Sequence, residues 1–195
     1  MHLGWHRLHS SSAAAAQQFE EVSVPSWERI SRRYIAVVSK ISLVTGSAIA
    51  WLVIPATAVM LREVIGRYFF NSPSVWAPEL SMQLIAFFFL VGGAYTMLSG
   101  GHVGVDIISS RLTGKAAVFA AVVRLLLATT FLGVLIYSGS LFAFRSISIL
   151  EHSGTDWNVI IYPLKTVIPV ASSLLLLQTI AQFLIELLQL LGRRV

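Results

Sequence analysis

Two ionisable residues of this 195-residue chain, Arg124 and Glu186, lie inside long apolar stretches. A charge at the centre of a bilayer costs on the order of 3 kcal/mol, so such residues turn toward a partner or toward the interface. Arg124 follows Lys115 by nine residues and Glu186 precedes Arg193 by seven. On helices rising 1.5 Å per residue, these separations are about 13 Å and 10 Å. Both charges therefore reach comparable depth from the same membrane face. The chemistry open to them is an ion pair, with each other or with a neighbouring subunit; the alternative is separate snorkelling to the interface.

Other reactive groups are poorly placed for catalysis. The chain has no cysteine, which excludes a disulfide scaffold, thiolate metal sites and a cysteine nucleophile. Its five histidines all lie outside the apolar stretches, so none can serve as an axial haem ligand in a helical core. His102 and Asp106 are four residues apart, but one imidazole and one carboxylate make a poor metal site. Asp106 reads better as a cap for the following IISSRL helix. His2, His6 and His9 are loosely spaced in a polar terminus. Glu63 and Glu79 fall at the ends of apolar stretches, where Arg62 or Arg67 can pair with them. Gln83, Gln178 and Gln182 are isolated amides of the kind that join helices by hydrogen bonds. No catalytic, metal or substrate-binding set is expected.

The elements that carry these residues follow from composition. The chain is 56% hydrophobic and 12% charged, with a mean hydropathy of +0.77, whereas soluble domains carry roughly a quarter charged residues. The fold class is an all-α integral membrane protein with four transmembrane helices preceded by an interfacial amphipathic helix. Residues 1–25 lack the apolar core of a secretory signal and read as a flexible cytoplasmic tail. Over 26–40, Trp27, Ile30, Tyr34, Val37 and Val38 recur at helical spacing, with Ser26 as the expected N-cap. Arg29, Arg32, Arg33 and Lys40 on the other side suit anionic lipid headgroups.

The membrane domain spans 41–192, with crossings at about 41–61, 80–98, 116–140 and 164–191. Pro55 should bend the first, and Gly46, Ser47 and Ala48 would let another helix approach closely. Asn71, Ser72 and Pro73 mark a turn. Gly92 and Gly93 would open a close-packing point in the second crossing. The third stays helix-compatible to about Ile149, longer than a bilayer requires. Net charge is +5, but the basic residues sit at the ends of apolar stretches, which argues for membrane orientation and against nucleic acid. Arg7, Arg29, Arg32, Arg33, Lys40, Arg111, Lys115, Arg193 and Arg194 lie on one side; Arg62, Arg67, Arg145 and Lys165 lie on the other. Nine against four places both termini in the cytoplasm.

The segment REVIGRYFFNSPSVWAPELS, with FFFLVGGAYTMLSGGHVGVDIISSRL after it, resembles the small membrane subunit (DctQ type) of tripartite ATP-independent periplasmic, or TRAP, transporters. The likeness rests on an arginine-bearing stretch from Arg62 to Arg67, Trp76 and Glu79 opening the second crossing, the pair Gly92 and Gly93, and a Gly-His-x-x-x-Asp loop at Gly101, His102 and Asp106. It covers about residues 41–190, leaving the N-terminal tail outside. The wording FNSPSVWAPEL and GGAYTMLSGGHVGVDI is most similar to the subgroup labelled mannitol or chloroaromatic, whose relatives are associated with 2-oxo acids and other organic carboxylates.

The resemblance implies a non-catalytic subunit in a bacterial inner membrane. Its partners would be a large elevator-type subunit (DctM type) that carries the substrate and sodium sites, and a periplasmic binding protein that delivers an organic carboxylate. The small subunit would scaffold and anchor the large one, with the 26–40 helix as a lateral brace. Partner contacts would then come from Arg62, Arg67, Trp76, Glu79, Gly92, Gly93 and the EHSGTDWN loop (Glu151, His152, Asp156). Headgroup contacts on the cytoplasmic side would add His102, Arg111 and Lys115, and no cofactor beyond a bound phospholipid is implied. A self-sufficient homo-oligomeric transporter or channel is the competing reading, and it would need polar residues lining a path.

Overall fold

A computed structural model describes residues 25–99 and 115–190. The chain divides into two units, Met1–Tyr34 and Ile35–Val195. Five helices are described: α1 (Ser26–Ala50), α2 (Val53–Phe69), α3 (Trp76–Leu98), α4 (Lys115–Ser148) and α5 (Tyr162–Leu190). Among the described residues four stretches are long and apolar enough to cross a membrane: Ser26–Phe69, Trp76–Leu98, Ala116–Ser148 and Tyr162–Leu190. The described residues contain no strand, only an isolated antiparallel bridge between His152 and Ile160.

In the first unit the helix opens one residue earlier than the capping pattern implies. The Pro25 carbonyl accepts from the amides of Glu28 at 3.0 Å and Arg29 at 3.3 Å, so Pro25 holds the capping position and Ser26 is already helical. Arg32 donates to Glu28 one turn back at 2.9 Å, while Arg29 and Arg33 are exposed.

In the second unit α1 buries Ile35, Val38, Ser42 and Gly46 along one face, the three-to-four-residue spacing of a packed helix. The expected bend appears upstream of its cause, at Trp51–Leu52. Pro55 has no N–H for the Trp51 carbonyl, and its ring crowds that carbonyl. The Trp51 carbonyl accepts from Ile54 at 3.3 Å instead, and Leu52 donates to Ile49 at 2.9 Å. These three-residue steps end α1, and α2 restarts at Val53.

Helix boundaries differ from the sequence reading where prolines and ion pairs extend the helices. The first crossing continues from Leu61 to Phe69, the second starts at Trp76 instead of Leu80, and the fourth starts at Tyr162. Pro78 and Pro163 sit in first turns, where a missing N–H costs no helical bond. The helix of the third crossing continues past residue 140 to Ser148, and its 34 residues measure about 51 Å, against a hydrocarbon slab of about 30 Å.

α5 is the hub of the bundle. It packs along α4 and on α3, and α3 in turn packs on α2. Its buried residues are Ala171, Ser172, Gln178, Thr179, Ala181 and Leu188. The Ser42 hydroxyl of α1 donates to Gln178 Oε1 at 2.9 Å. Gly139 brings α4 against Ile168 and Pro169, where a Cβ would lie 3.1 Å from Ile168 Cγ2. Leu126, Leu127, Phe131 and Phe89 face outward. Small residues inside and large apolar ones outside are the arrangement of helices packed within lipid.

α4 ends in a Schellman motif, with Leu150 donating to the Ile147 carbonyl at 3.1 Å and Glu151 to Ser146 at 3.0 Å. Leu150 holds a φ of +47°, where glycine is usual and an L-residue with a Cβ costs about 1–2 kcal/mol. Leu150→Gly is therefore expected to raise stability by about 1 kcal/mol, read as a higher thermal unfolding midpoint in detergent. A lower midpoint would mean that the exposed leucine side chain contributes more than the strain removes.

Candidate functional site

One end of the bundle gathers the junction between α2 and α3 with the loop between α4 and α5. Glu63 organises the junction. Its Oε1 accepts from Arg67 Nη2 at 2.8 Å and Nε at 3.3 Å. Its Oε2 accepts from the Ser74 amide at 3.1 Å and from the Ser74 hydroxyl, and Arg62 lies 3.5 Å away. Only 11% of the Glu63 side chain is exposed. The intervening turn passes through Asn71 at a φ of +49°, and the Ser72 amide bonds back to the Gly66 carbonyl at 2.9 Å.

The Arg62 guanidinium also lies over the Trp76 ring, 5.3 Å from its centroid. Trp76 contacts Trp157 with centroids 6.5 Å apart. Arginine, tryptophan and tryptophan thus form a column from α2 through α3 to the loop, combining cation–π and aromatic contacts. The loop is a closed hairpin: Ser153 donates to the Val159 carbonyl at 2.9 Å, Ile161 to Glu151 at 3.1 Å, and Asn158 to Thr155 at 3.0 Å. Gly154 at a φ of +67° and Asn158 at +51° make its turns. The Ser153 hydroxyl donates to Glu79 Oε2 at 3.3 Å, and Gln83 Nε2 donates to the Ile160 carbonyl at 3.3 Å.

Lys165 at the start of α5 fastens the base of the hairpin, with Nζ 2.5 Å from Glu151 Oε2 and 4.0 Å from the Phe142 ring centroid. The lysine's hydrogen bond holds the Glu151 carboxyl below the usual carboxylate range. A depressed carboxylate stabilises the fold above its unfolded pKa, and that contribution disappears as pH falls through the folded value. Acidification below the ordinary carboxylate range is expected to loosen the hairpin, and Glu151→Gln should do so at neutral pH. Hydrogen exchange at the Ser153 and Ile161 amides checks both; equal protection in wild type and variant would remove Lys165–Glu151 as the fastening.

The structure therefore joins Arg62, Trp76 and Glu79 to the loop that begins at Glu151, and ties Arg67 in through Glu63. His152 and Asp156 remain exposed on the hairpin. Ser74, Ser153, Trp157 and Lys165 are participants that the sequence reading did not single out. The Ser-Pro-Ser run at 72–74 and the tryptophan within EHSGTDWN were the available signals.

Elsewhere the expected residues are distributed differently. Among the described residues Gly92 does not form a close-packing point, since a Cβ there would meet nothing within 4 Å, and one at Gly93 would only graze Leu175 Cδ2 at 4.0 Å. The close approach is at Gly46, where a Cβ would stand 2.3 Å from Tyr95 Cβ. Arg124 of α4 and Glu186 of α5 form an ion pair, with 27% and 21% of their side chains exposed. Lys40 is exposed on α1, and Lys115 opens α4. His2, His6, His9, His102, Asp106 and Arg111 lie outside the described residues. Among the described residues no group of three His, Cys, Asp or Glu could hold a metal ion.

Comparison with curated proteins gives no match. A family model described as "Tripartite ATP-independent periplasmic transporters, DctQ component" matches residues 56–189, from α2 to the last turn of α5.

Proposed function

The chain belongs to the DctQ component family of tripartite ATP-independent periplasmic transporters, and from that premise we propose that it scaffolds a larger permease subunit. As a member it is a small membrane subunit of such a transporter. In the proposed assembly the large subunit carries the substrate and sodium sites and moves as an elevator. A periplasmic binding protein delivers an organic carboxylate of the 2-oxo acid or chloroaromatic kind. The chain crosses an inner membrane four times with both termini in the cytoplasm, and residues 26–40 brace the assembly at the surface. The Arg62–Trp76–Trp157 column and the hairpin with Asp156 face the periplasm and meet the partners there.

The observation that carries this reading is the split between the two surfaces. Outward faces bear large apolar side chains such as Phe89, Leu127 and Phe131, whereas the hydrogen-bonded charges of Glu63, Arg67, Glu151 and Lys165 collect at one end. A scaffold needs an apolar flank and a fixed end more than it needs a polar path. Affinity purification in mild detergent tests the proposal. Stoichiometric recovery of a larger multi-span protein is expected. A pure homo-oligomer that moves solute by itself in liposomes would overturn it in favour of a self-sufficient transporter.

A further inference from the structure

We propose that phospholipid covers this bundle along one belt only, whose far edge is the Arg124–Glu186 pair at headgroup level, with the first turns of α4 standing beyond the bilayer. The relative heights of the helices follow from the contacts between them. Lys165 faces Phe142, Gly139 faces Ile168 and Arg124 faces Glu186, so α4 runs antiparallel along α5. Gly93 lies beside Leu175 and Thr179 donates to Met97 Sδ at 3.5 Å, so α3 runs parallel to α5 in constant register. Ser42 of α1 is level with Gln178. By these registers Glu79 is level with Ile161 and Arg145 with Tyr162, while Arg62 stacks on Trp76 about one turn above Glu79. Arg62, Glu79 and Arg145 come from three helices and yet share a layer about 6 Å deep, in the company of Trp76 and Trp157. Charges beside tryptophan mark a membrane–water interface.

A hydrocarbon core of about 30 Å takes about twenty residues of helix, so one that begins at Tyr162 ends at Gln182. Two other features fall near that limit. α3 ends at Leu98 and the exposed Lys40 lies on α1; by the same registers both are level with Ile180. Glu186, and Arg124 with it, come one turn past Gln182, about 6 Å, within a headgroup layer about 5–8 Å deep. α4 then continues nine residues from Arg124 to Lys115, about 13 Å, and carries the exposed Val118 and Phe119 past the headgroups. Moving the belt toward Lys115 to cover them would exchange Val118, Phe119 and Val122 for Met82, Phe142 and Phe144, which are together more exposed. It would also draw Lys40 into the hydrocarbon, where a charged side chain is costly. The belt therefore stays at the hairpin end. Nothing in this depends on the transporter family.

The chain has no cysteine, so an introduced cysteine is its only thiol. Phe119, Leu127, Phe131 and Val134, all exposed on α4, are replaced one at a time by cysteine in the full-length protein. Each variant is spin-labelled and placed in nanodiscs of phosphatidylethanolamine and phosphatidylglycerol. Power saturation then compares collisions with oxygen, which concentrates in hydrocarbon, with collisions of a polar nickel chelate, which stays in water. Labels on Leu127→Cys, Phe131→Cys and Val134→Cys are expected to favour oxygen and the label on Phe119→Cys to favour nickel, so that the preference changes sign between positions 119 and 127. Low access of both reagents at position 119, with oxygen preference still beginning at 127, would keep the edge of the belt there and add a protein cover to the base of α4. An oxygen preference at position 119 equal to that at 131 would place α4's first turns in the hydrocarbon and overturn the proposal. The four side chains point away from the packed face of α4, so the substitutions leave its contacts with α5 in place.

Discussion

Gly46→Ala is expected to lower the unfolding midpoint sharply, although alanine is the better helix former by about 1 kcal/mol. The new methyl would stand 2.3 Å from Tyr95 Cβ and 2.5 Å from its Cγ. These atoms are fixed to the backbone or one bond from it, so no rotamer change clears them. Restoring a carbon contact of about 3.8 Å requires the two helices to separate by about 1.5 Å. Overpacking of this kind costs about 1–3 kcal/mol. The same displacement would stretch the 2.9 Å bond from Ser42 to Gln178 beyond bonding range and strand two buried polar groups, for a further 1–3 kcal/mol or so. The net expectation is a loss of about 2–4 kcal/mol. Tyr95→Gly in the same chain removes the crowding Cβ, Cγ and Cδ2 atoms and should restore most of the separation cost. Thermal unfolding of the two single variants and the double variant checks this. A Gly46→Ala midpoint at or above wild type would disprove the close crossing of α1 and α3.

Replacing Arg124 by leucine is the second large effect. The variant keeps the Glu186 carboxylate at its depth between α4 and α5 but deprives it of the guanidinium. Breaking a buried pair costs about 3–5 kcal/mol, and partial exposure of both side chains puts the expectation near the lower bound, about 3 kcal/mol. Arg124→Leu with Glu186→Leu should recover to within about 1 kcal/mol of wild type, because two apolar residues suit the slab without either desolvation cost. The non-additivity of the cycle is the diagnostic. Single losses that simply add in the double variant would show that each charge reaches the interface by itself.

Much of this architecture was legible because lipid imposes a strong pattern. Long apolar runs fix four crossings, and the resemblance in 62–106 pointed to the family that the match over residues 56–189 establishes. Local chemistry was less legible. Pro55 announced a bend, but the break appears four residues earlier, at the Trp51 carbonyl, which takes Ile54 as its donor in place of the N–H that proline lacks. The glycine pair at 92 and 93 looked like a packing point because glycine permits close approach. Whether another helix takes up that room depends on where α5 runs, which no local pattern encodes. Gly46 had the same local signal and does meet a neighbour. The hairpin was hardest to read, since Ser153 reaches Glu79 across 74 residues and sequence spacing says nothing about such a pair.

The step at Trp51–Leu52 also shifts the rotational phase of the polypeptide. Each residue added to or removed from a continuous helix turns everything beyond it by about 100°. Here two three-residue steps replace the regular ladder between Ala50 and Val53, so the rows of α1 that meet α3 and α5 are offset from the rows of α2 that meet α3. A one-residue insertion ahead of Gly46 would scramble the first set of rows while leaving Glu63 opposite Ser74. The step therefore lets one passage through the bilayer present two differently aimed faces, one set by α1 and one by α2.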